Sequence, residues 1–166
     1  FIRHGNEQGF WQKESRILAA VSGGVDSMVL LHLLLQAQRQ IGFSLGVVHI
    51  NHQLREESAE EAAYLRSYCE KKNLPLYVSV WEDPAKTAIE TAARNFRYQA
   101  FTRVMEEEQY DTLMTAHHGD DQIETVLMKI IRGGQLSTFS GIKGVQPFAT
   151  GRLIRPLLSF SKEDLY

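Results

Sequence analysis

Short apolar runs alternate with longer amphipathic stretches along this chain, and no other feature constrains its fold as strongly. The short runs are rich in branched residues and end at glycine, proline or polar residues, which is typical of buried strands. We predict strands at Ile17–Val21, Ser44–Ile50, Leu76–Val80, Thr112–Ala116 and Leu153–Leu157. Between them, apolar residues recur at helical spacing, and we predict helices at Ser27–Ile41, Ser58–Lys72, Thr87–Glu108 and Asp120–Ile131. This alternation predicts a Rossmann-like α/β fold, a doubly wound parallel sheet of about five strands with helices on both faces.

Composition excludes several classes of protein. The 166 residues suffice for one domain, and 43% hydrophobic with 23% charged residues is ordinary for a globular chain. No apolar run approaches the ~20 residues of a membrane helix, so we expect no membrane partner. The single cysteine, Cys69, rules out a disulfide framework and points to a reducing compartment, which predicts a cytoplasmic location.

The chain divides into a lead-in segment (1–15), one domain (16–160) and the start of a further helix (161–166). Ser161 and Asp164 have the spacing of a capping box, which opens a helix. Only two residues follow Asp164, so we expect this helix to lead into a C-terminal part beyond Tyr166.

Polar clusters follow three of the predicted strands. The segment Ser22–Ser27 follows the first strand, His49–His52 closes the second, and His117–Asp121 follows the fourth. Because ligands of open α/β sheets bind outside the carboxyl ends of the strands, these clusters predict one ligand site at that edge. The alternative for any single cluster is a solvated loop.

The cluster Ser22-Gly23-Gly24-Val25-Asp26-Ser27 has the properties of a phosphate-binding loop. Adjacent glycines let the backbone approach a ligand, and the helix that follows presents unpaired N–H groups to an anion. Ser22 and Ser27 add hydroxyl donors, whereas the lysine of a Walker A motif is absent. Asp26 would repel phosphate unless a cation lies between them, which predicts Mg²⁺ at Asp26. The alternative is a plain helix N-cap with turn glycines.

The loop resembles the signature of the PP-loop ATP pyrophosphatases, which cleave ATP between the α and β phosphates. Further motifs follow in order: His49–Arg55 (HINHQLR), Glu90–Tyr98 (ETAARNFRY), Leu113–Thr125 (LMTAHHGDDQIET) and Arg155–Leu158 (RPLL). Together they resemble the catalytic domain of the bacterial tRNA(Ile)-lysidine synthetase family, over roughly Ser15 to Leu158. The resemblance implies an adenine nucleotide alpha hydrolase-like fold of the PP-loop type.

The resemblance also implies a reaction. ATP and Mg²⁺ would serve the ligation of L-lysine to C2 of the wobble cytidine in the CAU anticodon of tRNA(Ile). The cytidine O2 attacks the α-phosphate and releases pyrophosphate, and the lysine ε-amine then displaces AMP, giving lysidine and AUA decoding. The expected partners are tRNA(Ile) and L-lysine, and a homodimer is one of the assemblies left open by the sequence.

Roles for individual residues follow from the same resemblance. The expected catalytic residues are Asp26, Arg97, His117, Asp121 and Glu124. Asp121 and Glu124 would bind the cationic lysine, and one of them or His117 would accept the proton of its amine. Acidic residues at a helix start also simply favour the macrodipole, and for Asp120 this alternative stays open.

The ATP pocket implied by the resemblance extends beyond the loop. Its expected residues, besides Ser22–Ser27, are Val48, His49, Ile50, His52 and Arg94. The backbone near Val48–Ile50 would touch adenine. Arg94 or Arg97 would meet phosphate or the substrate carboxylate, whereas the alternative is an exposed helical ion pair with Glu90.

Other functions stay open from the sequence alone. A PP-loop tRNA thiolase generally needs several cysteines, whereas this chain has only Cys69, on the predicted core face of a helix. An ammonia-using amidotransferase domain and a non-catalytic nucleotide-binding module are the further alternatives. The net charge is only −2, but the stretch 129–155 holds five basic residues and no acidic one, which predicts contacts with tRNA phosphates.

Overall fold

A computed structural model describes residues 1–51, 58–81, 89–116 and 144–165. Its strands are β1 (Arg16–Ala20), β2 (Ser44–Asn51), β3 (Leu76–Val80), β4 (Thr112–Met114), β5 (Val145–Phe148) and β6 (Gly151–Ile154). Its helices are α1 (Ile2–Gln8), α2 (Val25–Ile41), α3 (Ser58–Lys71), α4 (Ile89–Glu108) and α5 (Lys162–Leu165). The helix predicted at Asp120–Ile131 lies outside the described residues. Among the described residues, no helix combines the length and the apolarity needed to cross a membrane.

The six strands form one sheet in the order β3-β2-β1-β4-β6-β5. Every neighbouring pair is parallel except β5 and β6, so the predicted doubly wound parallel fold is confirmed. The chain runs outward from β1 through β2 to β3, and then returns to the other side of β1 with β4. The strand order therefore reverses between β1 and β4, and ligands of such folds bind at the carboxyl ends of the strands that flank this point.

Helices cover both faces of the sheet. Buried side chains of α2 and α3 pack on one face, and those of α4 pack on the other. The apolar residues of α3 at helical spacing, namely Ala62, Leu65 and Cys69, are all buried. In α2, Leu30, Leu34 and Ala37 are buried, whereas Leu33 and Ile41 are half-buried.

Two elements were not predicted. The first is α1, which contains Gly5 where a side chain would collide with the indole of Trp11. The second is β5, a four-residue edge strand that contains Pro147 and pairs antiparallel with β6. A residue without a backbone N–H argues against a strand when only the sequence is read. The neighbouring strand β6 was predicted at Leu153–Leu157 but begins earlier, at Gly151.

The first fifteen residues pack against the same core as the sheet. Phe10 and Trp11 are buried, and the Trp11 ring lies 5.6 Å from that of Phe43. The Trp11 Nε1–H donates to Asn6 Oδ1 at 2.8 Å, which satisfies the polar atom of the buried ring. Both tryptophans of the chain, Trp11 and Trp81, are buried.

The predicted capping box is present at the start of α5. The Ser161 N–H donates to Asp164 Oδ2 at 2.9 Å, and the Asp164 N–H donates to Ser161 Oγ at 3.3 Å. These reciprocal bonds satisfy two backbone donors at the helix start, and they confirm that a helix begins where the sequence predicts it.

Candidate nucleotide site

The segment Ser22–Ser27, here called the phosphate loop, joins β1 to α2 where the strand order reverses. Pairing along β1 continues one residue past the strand, because the Val21 N–H donates to the carbonyl of Val48 at 2.9 Å. The register pairs Ala20 with Val48 and Ala19 with Met114, so the loop lies beside the carboxyl ends of β2 and β4. The sequence predicted this placement, and the structure confirms it.

Glycine is required at Gly23 for two reasons. Its φ of 94° is in the left-handed region, which residues with a side chain rarely adopt. A Cβ added there would also lie 3.3 Å from the Cβ of Glu61 on α3. The next residue, Gly24, is the N-cap of α2 and has no side chain to satisfy the first N–H groups of the helix.

Two serine hydroxyls brace the loop from inside. The Ser27 hydroxyl donates to the Gly24 carbonyl at 2.9 Å, so it accepts from the Ser22 hydroxyl and from the Ser22 N–H, both at 3.2 Å. The Gly24 N–H in turn donates to Ser22 Oγ at 3.2 Å. Both hydroxyl protons are therefore used within the loop. Ser27 is buried, so its role here is structural, whereas Ser22 is exposed at the surface.

The first turn of α2 leaves backbone donors for an anion. The first helical bond is that of the Met28 N–H to the Gly24 carbonyl, at 3.1 Å. The N–H groups of Val25 and Ser27 donate to no residue that the structure describes. Unpaired N–H groups at a helix N-terminus, together with the helix dipole, form a site for phosphate.

Asp26 lies in this same turn and is half-buried. Within the described ranges, no group of three or more metal-ligating side chains exists. Mg²⁺ bound to a nucleotide typically uses one or two carboxylates and takes its other ligands from phosphates and water. A single carboxylate beside N–H groups that are suited to phosphate fits that mode of binding, so Asp26 suits the predicted Mg²⁺.

The end of β2 is buried beside the phosphate loop. Val48, His49 and Ile50 are all buried as whole residues, and the Val48 carbonyl already accepts from the Val21 N–H, so the predicted backbone contact with adenine stays a prediction. Val48 and Ile50 belong to the core beneath α4, whereas His49 points to the opposite face because side chains alternate along a strand. The His49 Nδ1 lies 2.8 Å from the Val21 carbonyl oxygen, at the base of the phosphate loop. Sequence reasoning did not predict this contact.

The predicted arginines lie on α4, on the other face of the sheet from α2. Phe96 stacks on Trp81, which directly follows β3, with ring centroids 6.0 Å apart. This contact brings the N-terminal half of α4 to the carboxyl edge of the sheet. Arg94 is exposed, with its guanidinium carbon 5.6 Å from the Tyr98 ring centroid, and Arg97 is half-buried. Both arginines belong to this N-terminal half of α4.

Several predicted site residues lie outside the described residues. These are His52, His117, Asp121 and Glu124, together with Asp120. The strand that precedes His117 in the sequence, β4, lies next to β1, and Ala116 is the last described residue before His117.

The basic stretch 129–155 is less available to tRNA than its composition indicates. Arg155 is only 7% exposed and donates to Gln146 Oε1 at 3.0 Å. Arg152 is half-buried, and its guanidinium donates to the carbonyl oxygens of Gly9 and Phe10 at 3.3–3.4 Å. Two of the five basic residues thus serve the fold, and the other three lie outside the described residues.

Beside the phosphate loop, a largely apolar groove of about 680 Å³ runs along the outer side of α2. Val25 is 65% exposed at its edge, and Tyr64 of α3 and Phe160 line the same groove. The side chain of Val25 therefore faces this groove. The backbone N–H of Val25, and not its side chain, is therefore suited to phosphate.

Fold and loop together define the class of the protein. The family described as the PP-loop domain matches residues 3–166, and this chain belongs to that family. The chain is 56% identical over 167 residues to the tRNA(Ile)-lysidine synthase of Enterococcus faecalis, a match that covers 100% of this chain and 36% of the relative. It is 49% identical over 159 residues to the tRNA(Ile)-lysidine synthase of Streptococcus equi subsp. zooepidemicus, covering 96% and 36%. The resemblance predicted from the motifs is confirmed.

A solved structure supports the fold. The chain superposes on the U34-tRNA thiolase NcsA from Methanococcus maripaludis with a TM-score of 0.80 and 19% identity, covering 99% of this chain and 59% of the thiolase. At this identity the likeness concerns the fold alone. The chain spans 36% of the length of the curated relatives that it matches.

Proposed function

We propose that this chain is the ATP-using part of an enzyme that ligates L-lysine to C2 of the wobble cytidine of tRNA(Ile) with a CAU anticodon. One observation carries the proposal: a phosphate loop with free N–H groups at the reversal point of a PP-loop sheet, in a chain 56% identical to a tRNA(Ile)-lysidine synthase. The proposal includes a cytoplasmic location, where tRNA, lysine and ATP meet. The homodimer stays a prediction.

The proposed reaction has two displacements. The cytidine O2 attacks the α-phosphate of ATP, and the bond to the β-phosphate breaks, which releases pyrophosphate. The lysine ε-amine then attacks C2, the bond from C2 to the activated oxygen breaks, AMP leaves, and the amine loses its proton. Adenylation turns a poor leaving oxygen into a good one, so the protein's tasks are positioning and charge neutralisation.

The phosphate loop supplies the positioning. Its backbone is held by the bonds between Ser22, Gly24 and Ser27 before any ligand arrives, so the N–H groups of the first turn need little reorganisation. Asp26 would hold Mg²⁺, which when bound neutralises charge on the polyphosphate. Arg94 and Arg97 remain candidates for phosphate or for the lysine carboxylate.

The residues proposed for lysine are acidic and lie after β4. Asp121 and Glu124 would bind the cationic amine, and one of them or His117 would take its proton. Their positions in the sequence support this role, since β4 flanks the reversal point next to the phosphate loop.

Cys69, the cysteine of these 166 residues, is poorly suited to sulfur transfer. Cys69 is 1% exposed on the core side of α3, and burial raises the pKa of its thiol. A buried thiol that holds its proton is a poor nucleophile and a poor cluster ligand. The thiolase with a similar fold carries a [4Fe-4S] cluster, for which this chain has no comparable set of cysteines.

The test uses the full-length protein with CAU-anticodon tRNA(Ile), ATP, Mg²⁺ and radiolabelled lysine. We expect label in the tRNA together with equimolar AMP and pyrophosphate. Asp26→Ala should lower the rate by about 10²-fold or more, because a group that neutralises charge in the transition state is lost. Glu60→Ala is the matched control, since Glu60 is also acidic and in the first turn of a helix, but is exposed on α3.

The outcomes separate the alternatives. ATP binding without pyrophosphate release would identify a non-catalytic module, and sulfur in place of lysine in the tRNA would identify a thiolase. Lysine transfer that persists unchanged in Asp26→Ala would contradict the role given to this carboxylate.

A further inference from the structure

His49 is a buried polar residue in a position where the sheet otherwise carries apolar side chains. Its ring is 2% exposed, and Leu45 and Val47, which face the same side of β2, are both buried in the core under α2 and α3. The Nδ1 atom lies 2.8 Å from the carbonyl oxygen of Val21. Because a carbonyl oxygen can only accept, Nδ1 must carry the proton, which fixes the tautomer of the ring.

This bond completes a clamp on Val21. The Val21 N–H is bound by the carbonyl of Val48, and the Val21 carbonyl is bound by the side chain of His49. Two successive residues of β2 thus hold both polar groups of the residue that precedes Ser22. The ladder between β1 and β2 ends at Ala20 and Val48, so the clamp is the last fixed point before the phosphate loop.

The remaining ring nitrogen shows that this arrangement has a cost. The Nε2 atom is buried and has no hydrogen-bond partner among the described residues. An unpaired buried acceptor typically destabilises a folded protein by about 1–3 kcal/mol. A leucine would fill this place in the core without that cost, so burial alone does not account for a histidine here.

We propose that His49 is a positioning residue for ATP: through its Nδ1–H it orients the peptide between Val21 and Ser22 and thereby presets the N–H groups of the phosphate loop. The ring itself does not touch the nucleotide, because it is buried beneath the sheet edge. The inference rests on the proposed use of ATP, and it gives a side chain of β2 a role in shaping the phosphate loop.

Three substitutions in the full-length protein test the proposal. In His49→Asn, the amide nitrogen takes the place of Nδ1 and keeps the bond to Val21. In His49→Gln, the amide reaches the place of Nε2 instead, and in His49→Leu the bond is lost while the bulk is kept. His32→Leu is the matched control, because His32 is an exposed histidine on α2.

The measurements are the affinity for a non-hydrolysable ATP analogue by calorimetry, kcat/KM for ATP, KM for lysine and the melting temperature. Loss of one hydrogen bond should lower the analogue affinity and kcat/KM for ATP about 3- to 10-fold in His49→Leu and His49→Gln. In His49→Asn both should stay within about twofold of the wild type, and KM for lysine should stay unchanged in every variant.

Several results would overturn the proposal. One is an affinity of His49→Leu for the analogue that equals that of the wild type. A second is weak analogue binding by His49→Asn although its melting temperature equals that of the wild type. A third is a change in KM for lysine that parallels the change in KM for ATP. If His49→Leu does not fold, the difference in analogue affinity between His49→Asn and His49→Gln still tests the proposal. Calorimetry separates this failure from that of the proposed function, because the analogue can bind in a protein that transfers no lysine.

Discussion

Single residues determine the shape of the phosphate loop more than its overall composition does. The two serines form bonds inside the loop, and Gly23 turns the chain where a side chain would be strained and would approach Glu61. We therefore expect the stability of this loop and its affinity for ATP to change when a single hydroxyl is lost or a single methyl group is gained.

Gly23→Ala should lower both stability and ATP affinity. The left-handed backbone costs about 1–2 kcal/mol once a Cβ is present, and the approach to Glu61 adds to this. Gly9→Ala is the matched control: Gly9 has a φ of 69°, but a Cβ there would meet nothing within 4 Å. We expect urea unfolding to show a loss in both variants and calorimetry with an ATP analogue to show weaker binding only in Gly23→Ala. Equal analogue affinity in the two variants would contradict this.

Tyr110 gives the protein a pH dependence at alkaline pH. Burial, reinforced by the hydrogen bond to the Tyr77 hydroxyl at 3.1 Å, raises the pKa of Tyr110 well above its usual value near 10. The folded state therefore holds this proton more tightly than the unfolded chain. Its contribution to stability is complete below pH 10 and is lost as the pH rises towards the folded pKa.

Tyr110→Phe tests this dependence. At pH 8 the variant should be less stable by about 1 kcal/mol, because the bond to Tyr77 is lost. Above pH 10 the difference between the two proteins should shrink, since only the wild type has this proton to lose. Urea unfolding at pH 8 and pH 10.5 measures both, and a gap that stays constant would contradict the assignment to Tyr110.

At the level of elements, the hairpin of β5 and β6 contains two positions with opposite requirements. Ala149 in its turn has a φ of 48°, which favours glycine. Gly151, two residues on, lies so close to the backbone of Asp111 that a Cβ would collide with its carbonyl.

Ala149→Gly should therefore stabilise the protein by about 0.5–1 kcal/mol, as the relief of strain exceeds the added entropy of the unfolded chain. Gly151→Ala should destabilise it by about 1–3 kcal/mol, because the backbone must move to make room. Urea unfolding of the two variants shows whether each free energy of unfolding rises or falls. A loss of stability in Ala149→Gly would show that the turn tolerates alanine.

Elements with clear boundary signals could be predicted from the sequence. The strand Leu76–Val80 has the predicted bounds, since Asn73, with a φ of 55°, and Pro75 separate it from α3. The helix α2 ends at Ile41 as predicted, with Gly42 at its C-cap. By contrast, α1 and β5 are short and contain Gly5 and Pro147, so their stability comes from packing that a local pattern does not show.

The same limit applies to the candidate site. The phosphate loop could be predicted because glycines, hydroxyls and a helix start are consecutive in the sequence. The bond from His49 to Val21 joins residues 28 positions apart and depends on the register of two parallel strands. The internal use of the Ser27 hydroxyl likewise depends on the turn at Gly23, and residue type alone does not reveal it.

Across the whole molecule, charge is distributed differently from what composition indicates. The basic stretch 129–155 predicted a surface for tRNA, yet Arg152 and Arg155 connect β6 to the lead-in segment and to β5. Arginine suits such a role because its several donors can bind carbonyl groups on neighbouring elements at once. A run of basic residues in the sequence therefore indicates an interface only where the charged side chains are exposed and are not bonded within the fold.

The position of β5 also affects how copies of this protein meet one another. Without it, β6 would end the sheet with an open row of backbone donors and acceptors, the kind of border along which separate molecules join and aggregate. The antiparallel strand covers that border, and Pro147 removes one of the donors that the new border could offer. We therefore infer that this small hairpin reduces edge-to-edge pairing between the sheets of separate copies, and so reduces aggregation at the concentrations found in cells.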